Sequence, residues 1–386
     1  MTKNNNRGES MFEIWNKKKV SQLTNKDIDL WFDVLNNGLV EDRGYQLNDS
    51  NIKRIKAEIK SDYVEYLKGC PKDDSFINYY VLRNDLGTIL SICRVISKDS
   101  QYYLEGLETH RDYQEKGFAS QLLTKVLHDL KRNNIKKIHS LVRNHNEKSI
   151  NFHEKHGFLA SEKDDLNTRY GLDVEEQLRK KLFDQWASTY NKFVKRSESE
   201  GTYPFAGYSE IKYQIIDLIT KESQANVLDM GVGTGEITGP LYDLGYKITG
   251  VDLSENMIEL ANKKMPNASF IQGGFHSAIN QLDHKYDYII FNYSIHHLDN
   301  NNQINLLVKL HDYLKEQGII IIGDVSSKNQ MDMNKLKNKY ERFWDDEEYY
   351  PNLDNFQKSH LKNMYHIDYK QINEVAGIYI LSMVHE

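Results

Sequence analysis

The stretch Asn226-Val-Leu-Asp229-Met-Gly231-Val-Gly233-Thr-Gly235-Glu-Ile-Thr decides the fold of the C-terminal half. An apolar run ends at an acidic residue, and three glycines at alternate positions then open a second apolar segment. This order predicts a parallel strand, a tight turn and a helix, with backbone exposed to a nucleotide-like ligand at the carboxyl end of the strand. The third glycine of the dinucleotide fingerprint is missing from its usual offset.

Three further strand patterns follow in the same half. The run from Lys247 to Asp252 ends in an acid 17 positions after Gly235, where a carboxylate can accept the two ribose hydroxyls of an adenosine. That acid alone leaves a nicotinamide enzyme open. Tyr286 to Asn292 and Gly318 to Asp324 complete the set. The four motifs in order resemble class I S-adenosylmethionine-dependent methyltransferases over about residues 178 to 386.

The resemblance implies an α/β domain with a Rossmann-like doubly wound sheet and assigns residues to S-adenosylmethionine. The methionine part would lie against Asp229, Gly231, Gly233 and Gly235, the ribose at Asp252, and the adenine on Leu253 and Met257. A covering segment would contribute Tyr190, Tyr203 and Tyr208, and the strand from Tyr286 to Asn292 would contribute Asn292. The family usually has an aspartate where Gly274 stands, before Phe275. The adenine contact made there is therefore lost or supplied by another group, such as the backbone.

Two features on the acceptor side remain open. His296 and His297 follow the strand from Tyr286 to Asn292, and either could orient the acceptor or take its proton, or could serve packing alone. The acidic and aromatic stretch from Trp344 to Tyr350 could attract a cationic acceptor, or could be a solvated helix face.

The N-terminal half contains an anion-binding pattern at Gln114-Glu-Lys-Gly117-Phe-Ala119. A strand candidate precedes it, and a helix with an apolar face follows from Leu122 to Leu130. Backbone N–H groups at such a turn, with small residues at Gly117 and Ala119, suit a pyrophosphate. Taken alone, a plain strand-to-helix connection explains the turn as well.

A second piece, Asn146-Glu-Lys-Ser-Ile-Asn-Phe-His153-Glu-Lys-His-Gly157-Phe158, predicts a short helix that ends at Gly157. The two pieces together resemble the GNAT superfamily of acetyltransferases over roughly residues 20 to 165, which implies a mixed-sheet α+β domain. The pyrophosphate of acetyl-CoA would bind the loop of Gln114, Glu115, Lys116, Gly117, Phe118 and Ala119. Asn146 would contact the pantetheine or the reaction centre.

One departure concerns the acid of that family, a tyrosine that often reprotonates the CoA thiolate. His153 stands in its place and could keep the role or be a buried structural imidazole. Glu105 and Glu108 are the candidate general bases, with a solvated strand-end carboxylate as the alternative for each. Since strand side chains alternate, at most one of the two is expected to point into the site.

Length and composition agree with two domains, expected at residues 1–170 and 171–386. The first range carries 28 Lys and Arg against 25 Asp and Glu, and the second 22 against 31. An acidic C-terminal half argues against a large nucleic-acid surface, so a small-molecule acceptor is expected, with a cationic amine as one candidate. Cys70 and Cys93 form no metal-ligand spacing, and no metal is expected. Without an apolar leader or a membrane-length apolar run, a soluble cytoplasmic protein is expected.

Two predicted elements precede the GNAT-like motifs. The spacing of apolar residues predicts a helix over 51–68, and the apolar runs Phe76 to Arg83 and Thr88 to Ser97 predict a hairpin closed at Asn84 to Gly87.

The sequence therefore predicts a bifunctional transferase that uses acetyl-CoA and S-adenosylmethionine. Two alternatives stay open. The N-terminal domain could be a non-catalytic sensor of CoA or an amine that controls the methyltransferase, or the acceptor could be a protein or tRNA. The motifs do not determine the oligomeric state.

Overall fold

The computed structural model describes residues 77–220 and 224–384, together with 10–16, 19, 22–24, 26, 27, 29–34, 54 and 57. The chain divides into two compact units, Met1–Arg179 and Lys180–Glu386. The division lies after the expected 170/171 break because the strand Asn167–Asp173 completes the first sheet. The predicted helix over 51–68 lies outside the described residues, apart from residues 54 and 57, which are helical. Cys70 also lies outside them.

The first unit contains a seven-stranded sheet in the order β1-β2-β3-β4-β5-β7-β6. Its strands are β1 Met11–Trp15, β2 Ile77–Arg83, β3 Ile89–Lys98, β4 Gln101–Thr109, β5 Lys137–Arg143, β6 Leu159–Lys163 and β7 Asn167–Asp173. Neighbouring strands are antiparallel except for the parallel pair β4 and β5. The hairpin of β2 and β3 turns at Asn84 to Gly87, where the Gly87 N–H donates to the Asn84 carbonyl (2.9 Å). The observed mixed sheet confirms the fold predicted for this half.

Two helices of this unit carry the motifs, α1 Phe118–Arg132 and α2 Glu147–Lys155. In α1 the apolar positions 122, 123, 126, 127 and 130 form one stripe and are fully buried in the core cluster on one side of the sheet. Trp15 and Trp31 lie in a second buried cluster with Ile92. Both clusters anchor β3, because its residues alternate between them.

The second unit contains a seven-stranded sheet in the order β10-β9-β8-β11-β12-β14-β13. Its strands are β8 Asn226–Met230, β9 Lys247–Asp252, β10 Ser269–Gln272, β11 Tyr286–Asn292, β12 Leu314–Val325, β13 Tyr365–Gln371 and β14 Ala376–Met383. The five strands β8 to β12 are parallel, and β14 pairs antiparallel with both β12 and β13. Two buried clusters cover this sheet and share β8 and β11 between them. This is the doubly wound α/β sheet that the glycine motif predicted.

The helices of the second unit connect these strands. They are α3 Val174–Trp186, which begins in the first unit, α4 Tyr190–Ser199, α5 Tyr208–Ile219, α6 Thr238–Asp243, α7 Glu255–Lys264, α8 Phe275–Ile279, α9 Asn300–Leu310, α10 Gln330–Lys339 and α11 Leu353–Lys358. The first two of these, α3 and α4, are separated by a break after Trp186. Among the helices that the structure describes, none is long and apolar enough to cross a bilayer.

Candidate functional site

The glycine loop of the second unit lies at the carboxyl end of β8. Gly231, Gly233 and Gly235 have φ angles of +98°, +51° and +74°, which side chains of L residues rarely adopt. The N–H groups of Gly231 and Val232 both donate to the Val251 carbonyl, at 2.8 and 2.9 Å, and fold the loop tightly against β9. A Cβ on Gly231 would lie 2.4 Å from the Cβ of Ser294, whereas a Cβ on Gly233 would meet nothing within 4 Å. The loop is therefore packed on one side and open on the other.

Asp229 lies beneath this loop with one carboxylate oxygen unpartnered. Its Oδ2 accepts a hydrogen bond from the Thr238 hydroxyl (3.0 Å), while its Oδ1 is buried and has no partner among the described atoms. Burial raises the pKa of Asp229 to about 7, the Thr238 hydrogen bond opposes the rise, and Asp252 adds to it. A buried carboxylate oxygen without a donor suits an N–H of a cationic ligand, such as the ammonium of the methionine part of S-adenosylmethionine.

Asp252 ends β9 beside the same loop. Its Oδ2 accepts from the Gly233 N–H (2.8 Å) and its Oδ1 from the Ser254 N–H (2.9 Å). Burial raises the pKa of Asp252 to about 6, although these backbone hydrogen bonds lower it. Each oxygen keeps a second lone pair, so the carboxylate can still accept two vicinal hydroxyls. The two acids and the glycines of the resemblance are thus brought to one edge of the sheet, and they fit the expected cofactor.

The sequence analysis missed a polar connection made by Asp184. Its Oδ1 accepts a hydrogen bond from the hydroxyl of Ser254 (2.6 Å), which itself caps α7 by accepting from the Met257 N–H (3.2 Å). Asp184 therefore fixes α3 to the start of the helix that follows Asp252. The pattern Phe-Asp-x-Trp at 183–186 is the signal that could have drawn attention to it.

The residues expected near adenine lie on the segments that follow β9 and β10, next to Asp252. Met257 is buried in α7, and Leu253 is half-buried before it. Gly274 caps α8 with extended backbone, and Phe275 packs edge-on against Phe291 at 5.8 Å. The Gly273 N–H donates to the Asp252 carbonyl (3.0 Å), so this loop follows the cofactor edge of β9. No side-chain acceptor stands at position 274.

The tyrosines expected to cover the cofactor separate into two groups. Tyr190 and Tyr208 contact Phe205, at 6.0 and 5.9 Å between ring centroids, and Tyr208 also lies 5.4 Å from Tyr293. Burial raises the pKa of Tyr190, and the Asp252, Asp324 and Glu348 carboxylates raise it further. Its hydroxyl therefore lies in the field of both the ribose acid and the acceptor-side acids. Tyr203 belongs to another aromatic group, described below.

Two further polar atoms are orphaned between these groups. The Oδ1 of Asn292, at the end of β11, and the hydroxyl of Tyr293 are buried and have no partner among the described atoms. Tyr293 also has a positive φ of +50°, unusual for a residue other than glycine. Asn292 was expected from sequence, whereas Tyr293 was missed.

His296 is buried on the short 3-10 turn after β11. Its Nδ1 lies 2.8 and 2.9 Å from the two Asp324 oxygens, and its Nε2 lies 3.5 Å from Glu348 Oε1. Burial alone would lower the pKa of His296, but the two carboxylates outweigh it and raise the pKa to about 10. His296 is therefore an imidazolium at neutral pH, which donates hydrogen bonds and cannot take a proton. His297 is half-buried next to it, with the two rings 4.2 Å apart.

The acidic and aromatic stretch from Trp344 to Tyr350 packs on itself rather than forming an open cage. Trp344 stacks on Tyr203 at 5.2 Å, and Tyr350 meets Trp344 edge-on at 5.0 Å and hydrogen-bonds to the Tyr203 hydroxyl. The carboxylate of Glu348 is turned toward His296. No helix forms here, so the stretch is not a helix face; residues 345–347 and Tyr349 are exposed to solvent, whereas Tyr350 is buried.

The loop of the first unit presents backbone donors. In the described part of the chain, the backbone N–H groups of residues 115–119 donate no hydrogen bond to a protein acceptor. Gly117, the N-cap of α1, has φ +84°, and a Cβ there would meet nothing within 4 Å. Lys116 is held over the loop by its ammonium, which donates to the Asp112 carbonyl (2.6 Å). These donors beside a helix N-terminus fit a pyrophosphate.

Strands β4 and β5 of this unit diverge beyond one aligned pair, Tyr103 and His139.

A bulge in β4 corrects the expectation that Glu105 and Glu108 point to opposite faces. Glu105 lies opposite Arg94 and Glu108 opposite Ile92, so β4 has one residue more than β3 between them and both glutamates face the same side. Glu105 is paired with the Arg94 guanidinium (2.5 Å).

His153 and Asn146 have structural partners in α2. His153 is buried between Phe158 and Tyr170, at 4.7 and 5.5 Å, and its Nδ1 lies 2.7 Å from the Ser149 carbonyl, the geometry of an Nδ1–H donor. Burial lowers its pKa, so it is neutral at neutral pH. Its proton is committed to a carbonyl, which favours the structural role over the acid role. The Asn146 side-chain oxygen caps α2 by accepting from the Ser149 N–H (3.0 Å).

Comparisons with known proteins bear on both units. Residues 227–318 match the family described as methyltransferase domain, and residues 47–158 match the acetyltransferase (GNAT) family. An uncharacterized methyltransferase of Alkaliphilus oremlandii is 32% identical over 161 residues, which cover 42% of this chain and 74% of that protein. One from Oceanobacillus iheyensis is 28% identical and covers 51% and 93%.

Among solved structures, a magnesium protoporphyrin IX methyltransferase from Synechocystis PCC 6803 is 17% identical, with a TM-score of 0.41, and covers 53% of this chain and 100% of that one. The first unit matches the acetyltransferase (GNAT) family model, and the chain belongs to the methyltransferase family through its second unit.

Proposed function

We propose that the second unit binds S-adenosylmethionine at the glycine loop and transfers its methyl group to a nitrogen or oxygen of a small acceptor. The buried, unpartnered Oδ1 of Asp229 beneath a loop that is open at Gly233 carries this proposal. Asp229 would receive the ammonium and Asp252 the ribose hydroxyls. S-adenosylmethionine supplies a methyl group on a sulfonium, which an acceptor takes by in-line displacement.

The acceptor side of the proposed site is acidic. Asp324 and Glu348 flank His296, and burial raises the pKa of Asp324 while His296 opposes the rise. His296 would orient the acceptor as a hydrogen-bond donor, since its own proton is held. An amine that is already neutral needs no base to be methylated, whereas a hydroxyl needs another group to remove its proton. The acidic surroundings also suit a cationic or zwitterionic acceptor.

The first unit is proposed to transfer an acetyl group from acetyl-CoA to a small amine. The N–H groups of residues 115–119 would bind the pyrophosphate, and the divergence of β4 and β5 would admit the acyl arm. Glu108 is the better candidate base, because Glu105 is already paired with Arg94. The chain would then be a bifunctional transferase.

The test is product analysis by mass spectrometry. The full chain is incubated with both cofactors and a panel of small amines, alcohols and thiols, beside Asp252→Ala and Gly117→Ala variants. We expect a methylated product that depends on Asp252 and an acetylated product that depends on Gly117. Absence of S-adenosylhomocysteine and of released CoA with every acceptor would contradict the proposal.

A second candidate function is a sensor role for the first unit. The buried, neutral His153 and the Arg94 pairing of Glu105 favour it, since they weaken two of the three catalytic candidates. In that case acetyl-CoA would change the rate of methyl transfer without any release of CoA thiol, which a thiol reagent measures directly. Thiol release that depends on Glu108 would exclude the sensor role.

A further inference from the structure

Three side chains of the second unit converge although sequence spacing predicted no metal site. The ligand atoms of His296, His297 and Glu348 all lie within 4.8 Å of one another. His296 Nε2 lies 3.5 Å from Glu348 Oε1, close to the about 3.4 Å edge of a tetrahedron with bonds of about 2.1 Å. A turn of the half-buried His297 ring would bring the third ligand to the same centre.

Two of the three ligands already have the outer partners that metal ligands have in proteins. Asp324 accepts the Nδ1–H of His296 and so directs Nε2 toward the centre. The two oxygens of Glu348 also have separate partners. Its Oε2 accepts a hydrogen bond from the Tyr350 hydroxyl, while its Oε1 faces His296. Asp324 and Tyr350 are themselves buried, so both outer partners are fixed in position.

Backbone contacts hold the distant parts of the cluster together. The Tyr349 N–H donates to the His296 carbonyl (2.8 Å), and the side-chain amide of Gln303 bridges the carbonyls of Leu298 and Tyr349. Gln303 is itself almost fully buried. Glu348 is therefore placed against the histidines by the fold and not by a long flexible arm, which lowers the entropy cost of binding an ion.

The cluster lies beside the proposed cofactor site. The ring of His297 lies 5.1 Å from Phe183, whose neighbour Asp184 accepts a hydrogen bond from Ser254, the N-cap of α7 after Asp252. The hydroxyl of Tyr190 lies in the field of Asp252 as well as of Asp324 and Glu348. A group bound at the cluster would therefore lie on the acceptor side of the cofactor.

We propose that His296, His297 and Glu348 bind one divalent ion of the zinc class, with a fourth position open to the acceptor. The ion takes the place of the proton on Nε2 of His296, and that proton is released to solvent. Two imidazoles and one carboxylate form a donor set that suits zinc, and three protein ligands leave a coordination position for another molecule. An acceptor hydroxyl bound there would be made more acidic, so it could be deprotonated without a separate base residue. The role in acceptor binding rests on the proposed methyl transfer, whereas metal binding does not.

The test is metal binding by the full chain. After treatment with a chelator, the protein is titrated with Zn²⁺ and with Co²⁺, and bound metal is measured by mass spectrometry and by the visible absorption of the cobalt form. We expect one ion per chain. Glu348→Gln and His297→Ala should lose it, and Asp324→Asn should weaken binding by about 10- to 100-fold. His366→Ala is the matched control, because His366 forms an exposed pair with Asp368 (3.4 Å) elsewhere in the unit.

Calorimetry with S-adenosylmethionine on the same samples separates the outcomes. Variants that lose the ion and still bind S-adenosylmethionine are folded, and this result supports the site. Wild-type protein that binds S-adenosylmethionine and no stoichiometric ion would overturn the metal proposal alone, leaving an imidazolium held by two carboxylates. An ion that all variants retain would overturn it too. A bound ion without methyl transfer to any acceptor would count against the proposed function and not against the site.

Discussion

At the scale of single residues, the second unit buries carboxylates at positions where an ordinary protein core has apolar side chains. Asp229 is buried with one oxygen unpartnered, and Asp252 is buried with backbone donors on both oxygens. An uncompensated buried carboxylate destabilises a fold, and ligands commonly relieve such a cost. Sequence predicted these two acids from their position after apolar strands. It could not predict the outer pairing of His296 with Asp324, 28 residues away, because that contact depends on the neighbouring ends of β11 and β12.

Binding of S-adenosylmethionine should depend on pH through Asp229. Its pKa is raised to about 7, so the protonated form becomes the more populated one below that pH. A protonated carboxyl cannot form an ion pair with the ligand ammonium. We expect the affinity to fall by about 25-fold from pH 7.5 to 5.5 in calorimetric titrations. Asp229→Asn should bind weakly at pH 7.5 and lose most of this slope. A wild-type affinity independent of pH would contradict the role of Asp229.

The same raised pKa has the opposite effect on stability without ligand. Since the folded pKa of Asp229 exceeds the ordinary value of 3.8, the folded state binds more protons than the unfolded state between about pH 4 and 7. Its contribution to the free energy of unfolding is therefore largest at low pH and decreases as pH rises to about 7. Asp229→Asn should raise the melting temperature at pH 8, as measured by calorimetry, and a lower melting temperature there would show that its ionised form stabilises the fold.

At the scale of elements, glycine positions separate loops that face ligands from loops that only turn. Spacing in the sequence predicted the loops at 114–119 and 231–235, because both need small residues between a strand and a helix. Spacing could not predict the bulge in β4, since one extra residue leaves no mark in the alternation of a strand that is half exposed. That bulge decides whether Glu105 and Glu108 share a face.

The glycine loop of the second unit can be tested with a matched pair. Gly233 and Gly245 both have positive φ, at +51° and +91°, and a Cβ on either would meet nothing within 4 Å. Replacing either by Ala should cost about 1 to 2 kcal/mol of stability from backbone strain. Only Gly233→Ala should weaken S-adenosylmethionine binding in calorimetry, because only that Cβ enters the open side of the loop. Equal affinities in the two variants would show that the cofactor does not bind against Gly233.

An analogous pair exists in the first unit. Gly117 and Gly87 have φ of +84° and +82°, and both have open space at the Cβ position. Gly87 lies in the β2-β3 turn, far along the chain from the expected pyrophosphate loop. We expect Gly117→Ala to lose coenzyme A binding and Gly87→Ala to retain it, with similar small losses in melting temperature. Retention by both would remove the loop from the proposed site.

At the scale of the whole molecule, two units with separate sheets and cores are joined in one chain. Length and motif order predicted this division, and the charge difference between the halves agrees with a phosphate-bearing ligand for the first and a cationic one for the second. The acceptor side was much harder to predict. Glu348 lies 51 residues after His297, and only the return of the chain after β12 brings them together. No motif in the sequence identifies the acceptor of either unit.

The central claim is that one chain binds both cofactors at two sites, and sequential calorimetry on the full chain tests it most directly. S-adenosylmethionine is titrated to saturation, and acetyl-CoA is then titrated into the same sample. We predict one equivalent of each, with Asp252→Ala losing only the first and Gly117→Ala only the second. Failure of either ligand to bind the wild-type chain, or loss of both in one folded variant, would contradict the account.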